Sequence, residues 1–220
     1  MKRIKDQTGF SLIELVSGLL LVSLIFVILT LSVINFVTTY EDVKLFTQLQ
    51  DELFSAIETI RYGYTIEETT EDVGLIGLLT ANNVEIENSG SRIVLTPIVF
   101  DPGIPYYSIF YIDDMGRLKA TIQYADKYHT GIQIFPSGNK MIGNQPQFKI
   151  INHHLFTAER TFKQSDGSDK IFLLGIELEA RVRFREKARE QSVEDDIRIN
   201  TRTIQYKTSV FIGNAELEIL

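Results

Sequence analysis

The strongest pattern in the chain is an apolar run that begins at Phe10 and continues to about Val37. Glu14 is the one charged residue within this run. An uninterrupted apolar stretch of this length is typical of a membrane-spanning helix. A carboxylate inside such a helix costs roughly 2.5–3.5 kcal/mol on insertion scales, so Glu14 needs a specific reason to be there.

The pattern beyond the apolar run predicts that the same helix continues to about Tyr62. The first proline of the chain is Pro97, so no proline forces an earlier break. Apolar residues recur at spacings of three and four, which is the signature of one buried helix face: Phe46, Leu49, Leu53, Ile57 and Ile60. Gly63 is a typical stop signal. The first half of the helix is apolar all round, and the second half is amphipathic.

The segment after the helix gives weaker signals. The run Glu67–Asp72 is acidic, and we expect a solvated loop there. Apolar residues in Val73–Ala81 predict a short helix. Between Ala125 and Asp169 the chain is rich in Gly, Pro, Asn and Ser, which predicts irregular structure with short strands.

Period-two alternation predicts strands from position 92 onward. The first is Arg92–Val99, where Pro97 indicates an edge or a break. Two more, Tyr106–Ile112 and Leu118–Tyr124, flank the turn Asp113–Gly116 and predict a hairpin.

The clearest alternation lies in Leu174–Phe184, where apolar and charged residues strictly alternate. Its predicted partner is Ile197–Ile212. A change of phase within the partner predicts a β-bulge near Thr201–Ile204. The charge run Arg185–Asp196 between the two strands is expected to be a solvated hairpin tip, with a partner-contact loop as the alternative.

Together these patterns predict an α+β fold in which a long N-terminal helix packs on a C-terminal antiparallel sheet. The predicted organisation is a leader peptide, a transmembrane half-helix, an amphipathic half-helix and a β-rich globular domain, at residues 1–9, 10–37, 38–62 and 63–220. Lys2, Arg3 and Lys5 precede the apolar run, whereas Glu41 and Asp42 follow it. The positive-inside rule therefore predicts a cytoplasmic N-terminus and an extracytoplasmic domain.

A proteolytic cut between Gly9 and Phe10 would explain why the chain tolerates Glu14 within the apolar run. The new amine would lie about one helical turn from Glu14, either in its own helix or in a staggered neighbour. Two opposite charges in a low dielectric offset each other's desolvation only when they approach closely. An ordinary secretory signal is too short to fit this run, and no A-x-A-like site follows it. A plain single-pass anchor remains an alternative.

The stretch Gly9-Phe10-Ser11-Leu12-Ile13-Glu14-Leu15-Val16 resembles the type III signal sequence of the type IV pilin and pseudopilin superfamily. The resemblance implies that a prepilin peptidase cuts after Gly9 and methylates the amine of Phe10. It implies that Glu14 engages the N-terminus of a neighbouring subunit. It further implies other pilin or pseudopilin subunits and an inner-membrane assembly platform as partners, and a filament as the destination.

Within that superfamily, the chain resembles a minor pseudopilin of the J kind from a type II secretion system, or a minor pilin of the W kind. This resemblance lies in the predicted hairpin at Tyr106–Ile122 and in the stretch Ser209–Asn214. A membrane-anchored extracytoplasmic domain for binding or catalysis, carrying a pilin-type leader, is the alternative from another class.

The amino-acid composition excludes several kinds of partner, anchor and metal site. The 220-residue chain has a formal net charge of −7, which disfavours a nucleic-acid partner. It has no cysteine, which excludes a lipoprotein, disulfides and thiolate metal sites. The adjacent His153 and His154 would point to opposite faces of a strand and make a poor chelate. No catalytic constellation is visible, so we expect neither enzymatic activity nor a cofactor. Ca²⁺ stays a minor candidate at Asp113–Asp114 or at Asp166–Asp169.

Overall fold

The computed structural model describes residues 11–68, 71–97, 106–124, 128–142, 145–164, 167–184 and 201–212, with the backbone alone for 64–68 and 71–73. The chain forms two compact units, Met1–Lys44 and Leu45–Leu220. Helix α1 spans Leu12–Tyr62 without interruption, as the absence of proline predicted. The fold is α+β, with a long apolar N-terminal helix whose C-terminal part contacts antiparallel sheets.

The amphipathic stripe of α1 is confirmed. Five side chains on one face are almost completely buried: Leu49, Leu53, Ala56, Ile57 and Ile60. Phe46 is partly buried against the same core. These side chains join apolar residues of the strands that follow in one cluster, so the second half of α1 is held by the hydrophobic effect rather than by helix propensity.

The end of α1 is fixed by a glycine and by backbone capping. Gly63 has a φ of 73°, the left-handed conformation that terminates many helices. The amides of Leu78 and Leu79 donate to the carbonyls of Ile60 and Arg61, both at 3.0 Å. Two of the carbonyls that a helix end leaves without an intrahelical partner are thereby satisfied.

The segment after Gly63 corrects two expectations. It forms a hairpin of β1 (Gly63–Glu68) and β2 (Glu71–Ile76), where we predicted an acidic loop followed by a helix over 73–81. The turn at Gly77 approaches the helix end so closely that an added Cβ would clash with the amide nitrogen of Gly63. This tight return of the backbone directs residues 71–76 into strand pairing.

The first sheet is a five-stranded antiparallel meander. Its strands follow in chain order: β3 (Ala81–Glu87), β4 (Arg92–Pro97), β5 (Tyr107–Ile112), β6 (Leu118–Gln123) and β7 (Tyr128–Phe135). The predicted hairpin of β5 and β6 is confirmed, with Tyr107 opposite Gln123 and Ile112 opposite Leu118. The predicted strand from Arg92 is confirmed as far as Pro97.

The second sheet is built around one long strand. After a short hairpin of β8 (Met141–Ile142) and β9 (Gln145–Pro146), its strands are β10 (Phe148–Ile150), β11 (Phe156–Lys163), β12 (Asp169–Arg183) and β13 (Thr201–Phe211). β12 pairs with β10 and β11 along one edge and with β13 along the other. β7 and β11, at eight residues each, are longer than the short strands we predicted for this region.

The predicted pairing of the two C-terminal strands is confirmed, but the bulge near Thr201–Ile204 is wrong. The register runs without a shift from Leu173 opposite Phe211 to Arg183 opposite Thr201. Ile204, Tyr206 and Val210 therefore share one phase over the whole of β13. The residues that suggested the phase change, Ile197 and Ile199, lie outside the described residues. The register shifts of this sheet lie in β11, between Ala158 and Thr161.

Candidate functional site

The N-terminal half of α1 exposes every large apolar side chain that it carries. From Leu12 to Val37 these side chains are between 47 and 81% exposed. Within the described residues, α1 is the one helix long and apolar enough to cross a membrane, and its most apolar window is 0% buried. A helix that is apolar all round belongs in lipid or among other helices. The geometry is consistent with a single membrane anchor or a signal sequence.

The hydroxyl groups of this half-helix, and of the two threonines that follow it, need no outside partner. Each donates to a carbonyl three or four residues earlier, at 2.8–3.0 Å: Ser17, Ser23, Thr30, Ser32, Thr38 and Thr39. Such internal bonds lower the cost of placing hydroxyls in a medium that offers no hydrogen bonds. Glu14 is thus the one ionisable group between Ser11 and Tyr40.

Glu14 is engaged by the first turn of its own helix. The amide of Ser11 donates to Oε2 of Glu14 at 2.9 Å, and the amide of Glu14 donates to Oγ of Ser11 at 3.2 Å. This reciprocal pair is a capping box, which satisfies two amides that a helix start leaves without intrahelical partners. A carboxylate at this end is also favoured by the helix dipole. Gly9 and Phe10 lie outside the described residues.

The capping box is a role that our sequence analysis missed. Ser11-Leu12-Ile13-Glu14 has the S-x-x-E spacing that signals a helix start, so the signal was present in the sequence. Local capping therefore gives Glu14 a structural role in the isolated chain. That role does not remove the cost of a charge at membrane depth, because the amides that it binds are neutral.

Asp113 holds the β5–β6 turn together through hydrogen bonds and ion pairs. Its Oδ1 accepts the amides of Met115 at 3.0 Å and Arg117 at 2.9 Å, and its Oδ2 lies 2.8 Å from Nζ of Lys119. Nε of Arg117 is 3.2 Å from the same oxygen. Burial raises the pKa of Asp113, but the bonds from Lys119 and Arg117 outweigh it and hold the pKa below its usual value.

Neither candidate calcium segment presents a set of free carboxylates in the described residues. Calcium at Asp113 would have to displace two cations, and the neighbouring Asp114 is exposed. Asp166 lies outside the described residues. Among the residues described, no group of three His, Cys, Asp or Glu side chains is placed to hold a metal ion.

The adjacent histidines lie in the loop between β10 and β11 rather than in a strand. Both are exposed, and Nδ1 of His154 is hydrogen-bonded to the carbonyl of Ser89. In the same loop, Asn152 continues the pairing of β12. Its Nδ2 donates to the carbonyl of Glu177 at 2.7 Å, and its Oδ1 accepts the amide of Glu179 at 2.9 Å.

Two cavities mark the described part of the globular unit. A groove of about 740 Å³ lies between β3 and the β11–β12 hairpin, and Nζ of Lys170 donates across it to Oδ1 of Asn82 at 3.2 Å. A smaller cavity of about 280 Å³ lies on the first sheet, lined by Arg92, Tyr111, Thr121 and Tyr128 among others. As far as the described residues show, neither has a histidine in its wall.

The chain matches no protein-family model, no curated protein and no solved structure. Its class therefore follows from architecture alone. A long apolar N-terminal helix whose second half packs on antiparallel sheets is a pilin-like architecture.

Proposed function

We propose that this chain is a minor pilin-like structural subunit of a type II secretion pseudopilus or of a type IV pilus. A prepilin peptidase would cut it after Gly9 and methylate Phe10, and the subunit would wait in the inner membrane with its globular unit outside the cytoplasm. Neighbouring pilin or pseudopilin subunits and an inner-membrane assembly platform would then draw it into a filament. The proposal includes no enzymatic activity and no nucleic-acid partner.

One observation carries this proposal. The half-helix Leu12–Val37 is apolar and exposed on all sides, and it carries a single carboxylate in its first turn. A subunit that moves from lipid into a bundle of like helices needs such a surface, because the same apolar side chains are stable in both places.

The first turn of α1 supports the role proposed for Glu14. Cleavage before Phe10 would create an amine on the residue next to Ser11, whose amide already binds the carboxylate of Glu14. Consecutive Cα atoms are about 3.8 Å apart, so the new charge would begin within a few ångströms of Glu14. The pair would neutralise the carboxylate in the membrane, and a neighbouring subunit's terminus could take the same place during assembly.

A second candidate is a membrane-anchored extracytoplasmic binding domain. The groove of about 740 Å³ favours it, since ligand sites are commonly concave and of this size. Under this alternative, the chain would be anchored without entering a filament.

Processing tests the proposal directly. In cells that contain a prepilin peptidase, mass spectrometry of the wild-type protein should find a methylated Phe10 at the N-terminus. Gly9→Val should block the cut because the resemblance implies that the peptidase recognises this glycine, whereas Thr8→Val should be processed normally. An intact Met1 start in the wild type, or normal cleavage of Gly9→Val, would reject the proposal.

Two substitutions at Glu14 separate capping from charge. Glutamine fills the same capping-box position as glutamate, so Glu14→Gln should keep the bond to the Ser11 amide without the charge. Glu14→Ala loses both. If the charge drives assembly, both variants should insert into the membrane and both should fail to enter filaments. Normal assembly of Glu14→Gln would mean that Glu14 acts through capping alone.

A further inference from the structure

The outer edge of β13 differs from the other strand edges of the two main sheets. An edge strand carries amides and carbonyls with which a second chain can pair, and proteins commonly protect such edges with short strands or bulges. The pairings of the edge strands β3, β7 and β11 each contain register shifts, and β10 has three residues. β13 has 11 residues and pairs with β12 without a shift. It is therefore the one long and regular edge strand of these two sheets in the described part of the chain.

The side chains of β13 also favour strand pairing. Most of them are β-branched or aromatic, and these types are enriched in strands: Thr201, Thr203, Ile204, Tyr206, Thr208, Val210 and Phe211. Nζ of Lys207 lies 3.3 Å from Oε2 of Glu177 on β12, and the guanidinium of Arg202 lies over the ring of Phe184. Both basic groups of the strand therefore already have a contact within their own copy of the chain.

Alternate residues of β13 direct their backbone groups away from β12. The amide of Ile212 donates to the carbonyl of Phe172 at 3.0 Å, and these two residues continue the register of the pair. In an antiparallel pair, residues that bond the neighbouring strand alternate with residues that do not. Even-numbered residues of β13 therefore bond β12, and odd-numbered residues point their amides and carbonyls to the other edge. In the described part of the chain, β13 pairs with β12 alone. The outward-pointing residues in the middle of the strand are Thr203, Gln205, Lys207 and Ser209.

We propose that β13 pairs antiparallel with β13 of a second copy of this chain, about a two-fold axis at Tyr206. The second sheets of the two copies would then form one continuous sheet. Gln205 would lie opposite the partner's Lys207, and Thr203 opposite the partner's Ser209. Each of these pairs would exchange two backbone hydrogen bonds. The inference goes beyond the proposed function, because a membrane-anchored binding domain could pair in the same way.

The register of β13 explains why the axis lies at Tyr206. A two-fold contact uses the same surface on both subunits, and an axis at Tyr206 pairs the whole of Thr201–Phe211 with itself. An axis at Lys207 would place two ammonium groups opposite each other, which destabilises a sheet. An axis at Gln205 would leave the last residues of the strand unpaired. The axis at Tyr206 therefore combines full overlap with no like charges opposite each other.

A second copy fits this edge better than a foreign peptide does. Strand addition of a peptide takes its specificity from pockets for alternate side chains beside the edge. Neither of the two cavities described above has a β13 residue in its described wall. A copy of β13 needs no pocket, because its own edge supplies the matching backbone groups. Anchoring in one membrane would also raise the effective concentration of one copy for another.

Disulfide trapping tests the contact without background, because the chain has no cysteine. One full-length chain carries Thr203→Cys and the other carries Ser209→Cys, both at exposed positions. In the proposed register these two residues have Cα atoms about 5.5 Å apart, a distance that a disulfide can bridge. The chains are mixed in detergent micelles under oxidising conditions, and the mixed dimer is measured on a non-reducing gel.

Two controls define the background rate. Thr203→Cys alone should trap severalfold more slowly than the mixture. The two copies of residue 203 would be about 20 Å apart in the antiparallel register, at about 3.4 Å per residue. The mixture of Thr157→Cys with Lys163→Cys has the same spacing at exposed positions of the bulged strand β11. It should also trap severalfold more slowly, which shows that sharing a micelle is not sufficient.

A charge exchange across the axis supplies the decisive comparison. Gln205→Lys in both chains puts an ammonium group opposite the partner's Lys207 and should slow trapping severalfold. Gln205→Lys combined with Lys207→Glu puts opposite charges across the same contact and should restore the rate, a result that misfolding cannot produce. Gln50→Lys, at an exposed position of α1, makes the same change in net charge and should have no effect.

Three results would overturn the pairing. The first is a mixed dimer of Thr203→Cys and Ser209→Cys that forms no faster than either control. The second is trapping that Gln205→Lys leaves unchanged, and the third is a rate that Lys207→Glu does not restore. Faster trapping of Thr203→Cys with itself than with Ser209→Cys would indicate parallel strands and would also reject the proposed axis.

Discussion

Residues 12–37 and residues 45–62 of α1 are both rich in apolar side chains, but only the second segment has a face whose apolar side chains are buried. Leu53 is 1% exposed and contributes to the core formed with both sheets, whereas Leu24 is 58% exposed. The side chains are chemically identical. Their contribution to the free energy of unfolding differs because only Leu53 leaves water when this chain folds by itself.

The comparison also separates two uses of polar groups. In the first segment, hydroxyls return their hydrogen bonds to the helix and the one carboxylate closes a capping box. In the second, Oε2 of Glu52 accepts the amide of Ser137 at 2.9 Å, so polar side chains there tie the helix to the rest of the globular unit. Polar groups of the first segment find hydrogen-bond partners within the helix, whereas Glu52 of the second segment bonds to a residue distant in sequence.

The largest predicted difference between the two segments is the effect of truncating a leucine on the free energy of unfolding. Leu53→Ala should lower the free energy of unfolding of the globular unit by about 2–5 kcal/mol, because it leaves a cavity in a packed core. Leu24→Ala should leave that free energy unchanged. Urea unfolding of the full chain in detergent, followed by near-ultraviolet circular dichroism of its tyrosines, measures both. Equal losses would show that the segments are not energetically distinct.

Substitution by arginine should affect the first segment and not the second, and the quantity that changes is the free energy of membrane insertion. Leu24→Arg should raise the free energy of membrane insertion by about 2.5–3.5 kcal/mol, because it places a charge in the apolar run. Gln50→Arg, at an exposed position of the second segment, should not change insertion. The fraction of chain that resists alkaline extraction from membranes measures this difference. If Leu24→Arg inserted as well as the wild type, residues 12–37 would not be the spanning segment.

The smallest effect concerns acid stability of the globular unit. The folded pKa of Asp113 is lowered, so its contribution is present above its unfolded pKa and is lost as pH falls through the folded value. Asp113→Asn should cost about 1 kcal/mol near neutral pH after allowance for solvent screening. The difference from the wild type should shrink below about pH 4.

The exposed neighbour Asp114 provides the control for this measurement. Asp114→Asn should unfold like the wild type across the same pH range. A difference between Asp113→Asn and the wild type that stayed constant down to pH 2 would mean that the charge of Asp113 does not stabilise the turn.

Local signals in the sequence were enough for several elements. The spacing from Leu49 to Ile60 predicted the buried face of α1, and Gly63 predicted its end. The turn at Asp113–Gly116 predicted the hairpin of β5 and β6. In each case, neighbouring residues specify the element through helix periodicity, positive φ or turn chemistry.

Elements that depend on distant partners were predicted less well. The segment 73–81 looked helical because its apolar residues fit both periods. Its residues as far as Ile76 instead form a strand that pairs with residues 63–68. The bulge predicted near Thr201–Ile204 is absent from the described register, because pairing with all of β12 keeps β13 in one phase. The capping box of Ser11 and Glu14 was predictable and was overlooked.

The sequence by itself determined that one long apolar helix begins near a lone carboxylate, that its continuation has a buried face, and that antiparallel strands follow. These features follow from periodicity and from the cost of charge in an apolar medium. Only the tertiary structure decided which cross-strand partners meet. Lys149 faces Arg181 because strands that are far apart in sequence pair in one register, which side-chain alternation along a single strand leaves open.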